Sequence, residues 1–132
     1  MATELSVFNM CKLSEEGAEL NIIAPNGEKT EWVITLRGAD SKEFRTAQQA
    51  VRKRFLNKTS KLDSEELDRM SNMSLAACVI TWSGVNMNGE EFKPTKENIE
   101  IVLNEPAWLW AKEQIDRFVV DRANFIRDSG KN

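Results

Sequence analysis

The change of hydrophobic period at Gly38 constrains the fold more than any other feature of this chain. Before it, in "EWVITLR" (31–37), Trp32, Ile34 and Leu36 alternate with Val33, Thr35 and Arg37, the two-residue repeat of a strand with one buried face. After it, Phe44, Ala47, Val51 and Phe55 recur at helical spacing, which gives a helix one apolar stripe. A sheet face and a helix stripe can each be buried only against another element, so the expectation is an α+β domain.

Three segments read as strands: "SVFNMCKL" (6–13), "AELNIIA" (18–24) and "EWVITLR", separated by "SEEG" and "PNGEKT". Short apolar runs between turn residues predict an N-terminal three-stranded antiparallel meander over 1–38, with Asn26-Gly27 at the tip of the second connection. The meander is expected to pack on about four α-helices drawn from 39–128. The first spans about 41–57, with Asp40 in the cap position and Glu43 three residues on, a variant of the capping box. The second starts near Asp63 or Ser64 and runs through Leu67, Met70 and Met73 into "SLAACVITW", where nearly all sides are apolar or small and burial on most of the circumference is expected. A turn-rich connection, "SGVNMNGEEFKP" (83–94), leads to Thr95, which caps a short helix striped by Ile99, Val102 and Leu103. Pro106 opens the last helix, which runs to Ile126. Residues 129–132 read as a flexible polar tail.

That last helix poses a problem of its own. Trp108 and Trp110 lie two positions apart, and successive helical residues turn by about 100°. The two rings must therefore point to nearly opposite sides. Trp108 joins the apolar stripe of Ala111, Ile115, Phe118 and Val119, whereas Trp110 shares its face with Glu113, Gln114, Arg117 and Asp121. Either the 83–94 connection covers Trp110, or the ring anchors a partner, as tryptophan often does at binding hot spots.

Absences narrow the function. The chain contains neither histidine nor tyrosine, which removes the commonest general base, the commonest transition-metal ligand and every Ser-His or Cys-His arrangement. The adjacent carboxylates Glu15/Glu16, Glu65/Glu66 and Glu90/Glu91 point apart on a regular element and read as solvated surface. Cys11 and Cys78 fit no paired metal or redox spacing and are expected to be reduced and structural. Neither an enzymatic role nor a cofactor is expected. At 132 residues the chain is expected to form one domain. It has no apolar run near the ~20 residues of a membrane helix, and "MATELSVFNM" lacks a signal peptide's basic and apolar regions, so a cytoplasmic protein without a membrane partner is expected.

Charge is unevenly placed. Residues 41–61 carry seven basic side chains, among them Arg52, Lys53, Arg54 and Lys58, against the single acid Glu43, in a chain of net charge −3 and pI near 5.1. Nucleic-acid binding is one reading of such a stretch. Against it stand the acidic balance, the lack of aromatic residues placed for base stacking, and the absence of any zinc-finger, phosphate-loop or RNA-recognition signature. An acidic protein partner suits the same residues.

Two blocks carry a resemblance. "PNGEKTEWVITLRGADSKEFRTA" (25–47) is similar to the hairpin and Asp-Ser-x-Glu-aromatic-Arg helix start of the tail assembly chaperones of long-tailed bacteriophages. "WSGVNMNGEEFKPTKENIEIVLNEPAWLWAKEQIDRFVVDRANFI" (82–126) resembles the C-terminal half of that family in its Trp-x-Gly, its Gly-x-x-Phe turn, its Thr-x-x-Asn and its closing Ala-Asn-Phe. The resemblance implies a non-enzymatic factor of the host cytoplasm that binds and solubilises the helical tape-measure protein, helps recruit tail-tube subunits and is absent from the finished virion. It is compatible with self-association of this chain. Partner-binding residues would be Trp110, Arg117, Arg52, Lys53, Arg54 and Lys58, with Met70 and Met73 as further apolar contacts. Many members of the family are also made in a longer form by a programmed ribosomal frameshift near the C-terminus, for which Gly130-Lys131 and Lys131-Asn132 would be compatible sites. Two other readings remain beside it: a tail or head-tail structural subunit retained in the virion, and a basic-helix nucleic-acid-binding regulator.

Overall fold

Asn9 decides how the chain begins. Its side-chain oxygen accepts the Lys12 N–H at 3.1 Å and caps helix α1, Met10–Glu16, which follows a 3-10 turn at Leu5–Phe8. The strand expected at 6–13 is therefore helical. A local cap satisfies backbone donors that a strand would have to pair elsewhere, and asparagine is well suited to supply it. In this computed structural model, residues 1–57 and 63–126 are described; Lys58, Lys61 and the expected tail at 129–132, with the two candidate frameshift dipeptides, lie outside them.

Strands β1, Ala18–Ile23, and β2, Lys29–Leu36, form the expected hairpin, with Leu20 opposite Ile34 and a register shift between Asn21 and Ile23. Asn26 accepts the Glu28 N–H at 3.0 Å in the connecting turn. Along β2 the alternation holds, since Trp32, Ile34 and Leu36 are all buried. Helix α2, Lys42–Asn57, starts where expected, but its cap is Ser41, whose hydroxyl accepts the Phe44 N–H at 3.2 Å. Asp40 is instead held by Arg122. Helix α3, Ser64–Ala76, is capped by Asp63, which accepts the Glu66 N–H at 2.7 Å.

The apolar run after α3 does not extend the helix. It turns at Ala77 and forms strand β3, Val79–Ser83, antiparallel to β2 with Ile34 opposite Trp82 and Thr35 opposite Thr81. Val79, Ile80 and Thr81 are β-branched and suit a pleated surface. The free edge of β2 supplies the hydrogen bonds that make the strand preferable to another helical turn. The α+β class and the three-stranded antiparallel sheet are thus as expected, in the order β1-β2-β3, with 79–83 in place of 6–13 as the third strand.

The 83–94 connection contains a small hairpin, β4 at Asn86–Met87 and β5 at Glu90–Glu91, turning at Asn88-Gly89. Thr95 accepts the Asn98 N–H at 3.1 Å and caps α4, Lys96–Asn104. The expected continuous helix over 106–126 is divided. A 3-10 turn, Pro106–Trp108, precedes α5, Leu109–Val120, and Asp121 ends α5 by accepting the Ala123 N–H at 3.1 Å and starting a second 3-10 turn, Arg122–Phe125. Such Asx turns compete with the helix for backbone groups.

The buried core joins one sheet face to α4 and α5. Ile22, Ile34, Leu36, Ile115 and Val119 are almost fully enclosed, with Trp82, Val102 and Leu103 beside them. The Trp82 indole donates to the Phe92 carbonyl at 2.6 Å, and its ring stacks on Phe92 with centroids 5.7 Å apart. Buried Asn72 joins α3 to α4 by donating to the Leu103 carbonyl at 2.7 Å and to the Asn104 side chain at 3.1 Å.

Candidate protein-docking site

Of the two tryptophans of the last segment, Trp110 packs on the core, and Trp108, expected there, does not. Trp110 is half-buried against the core, its ring 6.4 Å from Trp32 at an interplanar angle of 81°, an edge-to-face pair. Trp108 lies in the 3-10 turn, half-buried and outside the core cluster. Three residues per turn in that segment, rather than 3.6, shift Trp108 out of phase with Ala111 and Ile115. The face of Trp110 is polar in composition, yet Gln114 on it binds strand β1, so the face lies on the sheet and not in solvent.

Arg117 is exposed on α5. Arg52, Lys53 and Arg54 are exposed on α2, and Lys58 lies outside the described residues. Lys112 and Asp116, on the side of α5 opposite Trp110, line a hollow with Phe44 and Val51 of α2. Arg117 shares the face of Trp110, whereas the basic residues of α2 lie beyond the opposite side of α5 and do not form one patch with them.

Of these basic residues, Arg52 lines an apolar groove. Helix α2 has no fully buried residue. Its first half leans on the core through Phe44, while its second half runs on beyond it, leaving Phe55 53% and Leu56 76% exposed. Helix α3 is anchored at its C-terminal half, where Met70, Asn72, Ser74 and Leu75 are buried, and its first turns carry Leu67, 40% exposed. The two helices run antiparallel, so the loosely held ends meet. Val51, Arg52, Phe55 and Leu56 face Leu67 and Met70 across an open groove of about 310 Å³. Helical spacing explains the composition of each wall. Val51 and Phe55 are four apart, as are Arg52 and Leu56, while Leu67 and Met70 are three apart.

The groove is lined mostly by apolar side chains, with Gln48 and Ser71 as its uncharged polar residues. Arg52 is the charged side chain among its lining residues. Elsewhere, Cys78 is buried and its thiol is pushed up to about 12 by loss of solvation, which keeps it protonated and unreactive. Cys11 donates to Glu15 at 3.1 Å, and that bond, with partial burial, raises its pKa. Among the described residues no cluster of three or more Cys, Asp or Glu side chains is placed to hold a metal ion, and no helix is long and apolar enough to cross a membrane.

Phe55 reads in sequence as a core residue, and Leu56 and Leu67 carry no signal that separates them from packing residues. The adjacent pair Phe55-Leu56 directly after Arg-Lys-Arg is the trace that marks the site. Comparisons with protein-family models, curated proteins and solved structures return no match to this chain.

Proposed function

We propose that this chain is a non-enzymatic assembly chaperone of the kind found in long-tailed bacteriophages, binding the tape-measure protein through the α2–α3 groove. The observation that carries the reading is the exposure of Phe55, Leu56 and Leu67 in one groove with Arg52 in its wall. A client with long amphipathic helices presents an apolar stripe flanked by charges, the pattern such a groove accepts. Covering each of the three side chains contributes about 1–2 kcal/mol, enough for weak single contacts that gain by repetition along an extended client. The two sequence blocks similar to that chaperone family, 25–47 and 82–126, support the same reading, which includes recruitment of tail-tube subunits. A nucleic-acid role would use the basic side chains but would leave Leu56 and Leu67 idle.

Co-expression with the tape-measure candidate, the longest helical reading frame downstream in the same genome, tests the proposal. A soluble complex that co-purifies with this chain, and is lost in Leu56→Asp, is the expected result. A client that stays insoluble with the wild-type chain and with its frameshifted form overturns it.

A further inference from the structure

We infer that the occupant of the α2–α3 groove is an amphipathic helix with acidic residues along the border of its apolar stripe. The inference rests on the protein-binding reading above and adds the chemistry of the client segment.

Charge complementarity carries it. Along α2 the exposed charges are Lys42, Arg45, Arg52, Lys53 and Arg54 against Glu43, and Glu43 is already 3.6 Å from Arg37, just past the end of β2. The carboxylates of the facing helix have local work: Asp63 caps α3 and Glu65 lies 3.9 Å from Arg69. Asp68 is exposed but is not among the groove-lining residues. Among the described residues Arg52 and Lys53 have no carboxylate partner. Arg52 stands in the wall one turn before Leu56, and Lys53 stands three residues before it on the other flank. Lys53 and Arg54 line a separate hollow with Ala50 and Asn57 on the outer face of α2. The basic charge in the groove wall is therefore Arg52, with Lys53 next to it in sequence and exposed. A helix laid in the groove with leucines at i, i+3, i+4 and i+7 would bring its flanking side chains over that wall. Glutamate or aspartate there pairs with Arg52 and Lys53, and lysine is repelled.

A phosphate backbone would meet the same cations but would have nothing to place against Phe55, Leu56 and Leu67. A second copy of this chain would have to present an acidic apolar helix; α2 is basic, and the acidic α3 already buries Met70 and Leu75 in its own fold. Both occupants become outcomes of the test.

The experiment uses the full chain and two fluorescein-labelled synthetic helices with the same leucine stripe, one flanked by glutamate and one by lysine, read by fluorescence anisotropy. The glutamate peptide is expected to bind about 10-fold tighter or more at low salt, from two ion pairs of modest strength, and the preference should shrink as salt rises. R52E/K53E should reverse the preference, and Leu56→Ser should weaken both peptides alike; its side chain is largely exposed, and circular dichroism verifies that the variant folds. Equal binding of the two peptides, or preference for the lysine peptide, overturns the inference. So does displacement of the glutamate peptide by a DNA oligonucleotide whose own binding survives Leu56→Ser, or a dimer that sedimentation shows to dissociate in Leu56→Ser. If the glutamate peptide is preferred but the tape-measure candidate stays insoluble, the chaperone reading fails and the groove assignment stands. If the client is solubilised without any charge preference, the assignment alone fails.

Discussion

The Gln114 side chain binds both backbone groups of Ile23: its carbonyl oxygen accepts the Ile23 N–H at 2.8 Å and its amide donates to the Ile23 carbonyl at 2.8 Å. A side chain on α5 thus supplies what another strand would supply to the outer edge of β1. The same amide reaches the Trp110 carbonyl at 3.0 Å, which holds the side chain in position. Edge groups that stay unpaired invite pairing with other chains, and this contact closes one such pair. It also places the Trp110 face of α5 over the sheet.

Gln114→Ala should therefore destabilise the fold by about 2 kcal/mol, because two partly buried backbone groups lose their partners. Gln114→Glu should be no better than alanine, since a carboxylate cannot donate to the Ile23 carbonyl. Urea denaturation of the three proteins measures both effects. A loss of a few tenths for Gln114→Ala would mean that water replaces the side chain at no cost.

Gly84 gives a sharper stability test. Its φ is +77°, and a Cβ there would sit 2.0 Å from the Glu31 carbonyl oxygen and 2.7 Å from the carbonyl carbon. These are backbone atoms of the region leading into Trp32, so nothing flexible can yield. Gly84→Ala should cost about 3–4 kcal/mol. Gly27 has a similar φ of +89° with open space around it, so Gly27→Ala isolates the conformational part, about 1–2 kcal/mol. Thermal unfolding of the two variants should separate by several degrees.

Legibility in the sequence followed the locality of each decision. Helices α2 and α4 are readable because a capping residue near the start and an apolar stripe are local signals, even though Ser41 and not the expected Asp40 supplies the first cap. The alternation of Trp32, Ile34 and Leu36 was readable for the same reason. Strand β3 was not, because 75–82 is apolar on all sides and its state depends on the free edge of β2, which is distant in sequence. Residues 6–13 have strand-like composition, and the Asn9 cap outweighs it. The basic residues of the candidate site were visible as a charge run, but Phe55, Leu56 and Leu67 were not visible as a surface. Their exposure depends on where the core stops beneath α2, and no stripe on α2 records that. Trp108 departs from the expected core stripe because one 3-10 turn shifts the phase of everything before Leu109.

Acid should loosen the corner where α2 begins. Arg122 donates to both oxygens of Asp40, at 2.6 and 3.0 Å, and this hydrogen bonding lowers the Asp40 pKa. A carboxylate whose folded pKa lies below its unfolded value stabilises the fold above the unfolded value, about 3.9. That contribution disappears as pH falls through the folded value. Asp40→Asn should accordingly lower the urea midpoint at neutral pH and leave it less sensitive to acid, so that the two proteins converge as pH falls through the folded value. Exposure of Arg122 and screening keep the effect small, and a gap that widens on acidification would contradict the assignment.

Trp110 separates packing from binding. Its edge-to-face contact with Trp32, which in turn packs 5.6 Å from Trp82, continues a row of three indoles from the β3 side of the sheet to α5. Trp110→Ala should cost about 2 kcal/mol, below the ~3–5 of a fully buried aromatic because the ring is only half enclosed. Trp110→Phe should recover most of that. In a double-mutant cycle with Trp32→Leu, the coupling should be about 0.5–1.5 kcal/mol. Client affinity, measured at a temperature where the variant remains folded, should not change, since the proposed groove lies on the far side of α5 among residues of α2 and α3. Were Trp110→Ala instead to abolish client binding at unchanged stability, the docking face would have to be moved from the α2–α3 groove to the margin between α5 and the sheet.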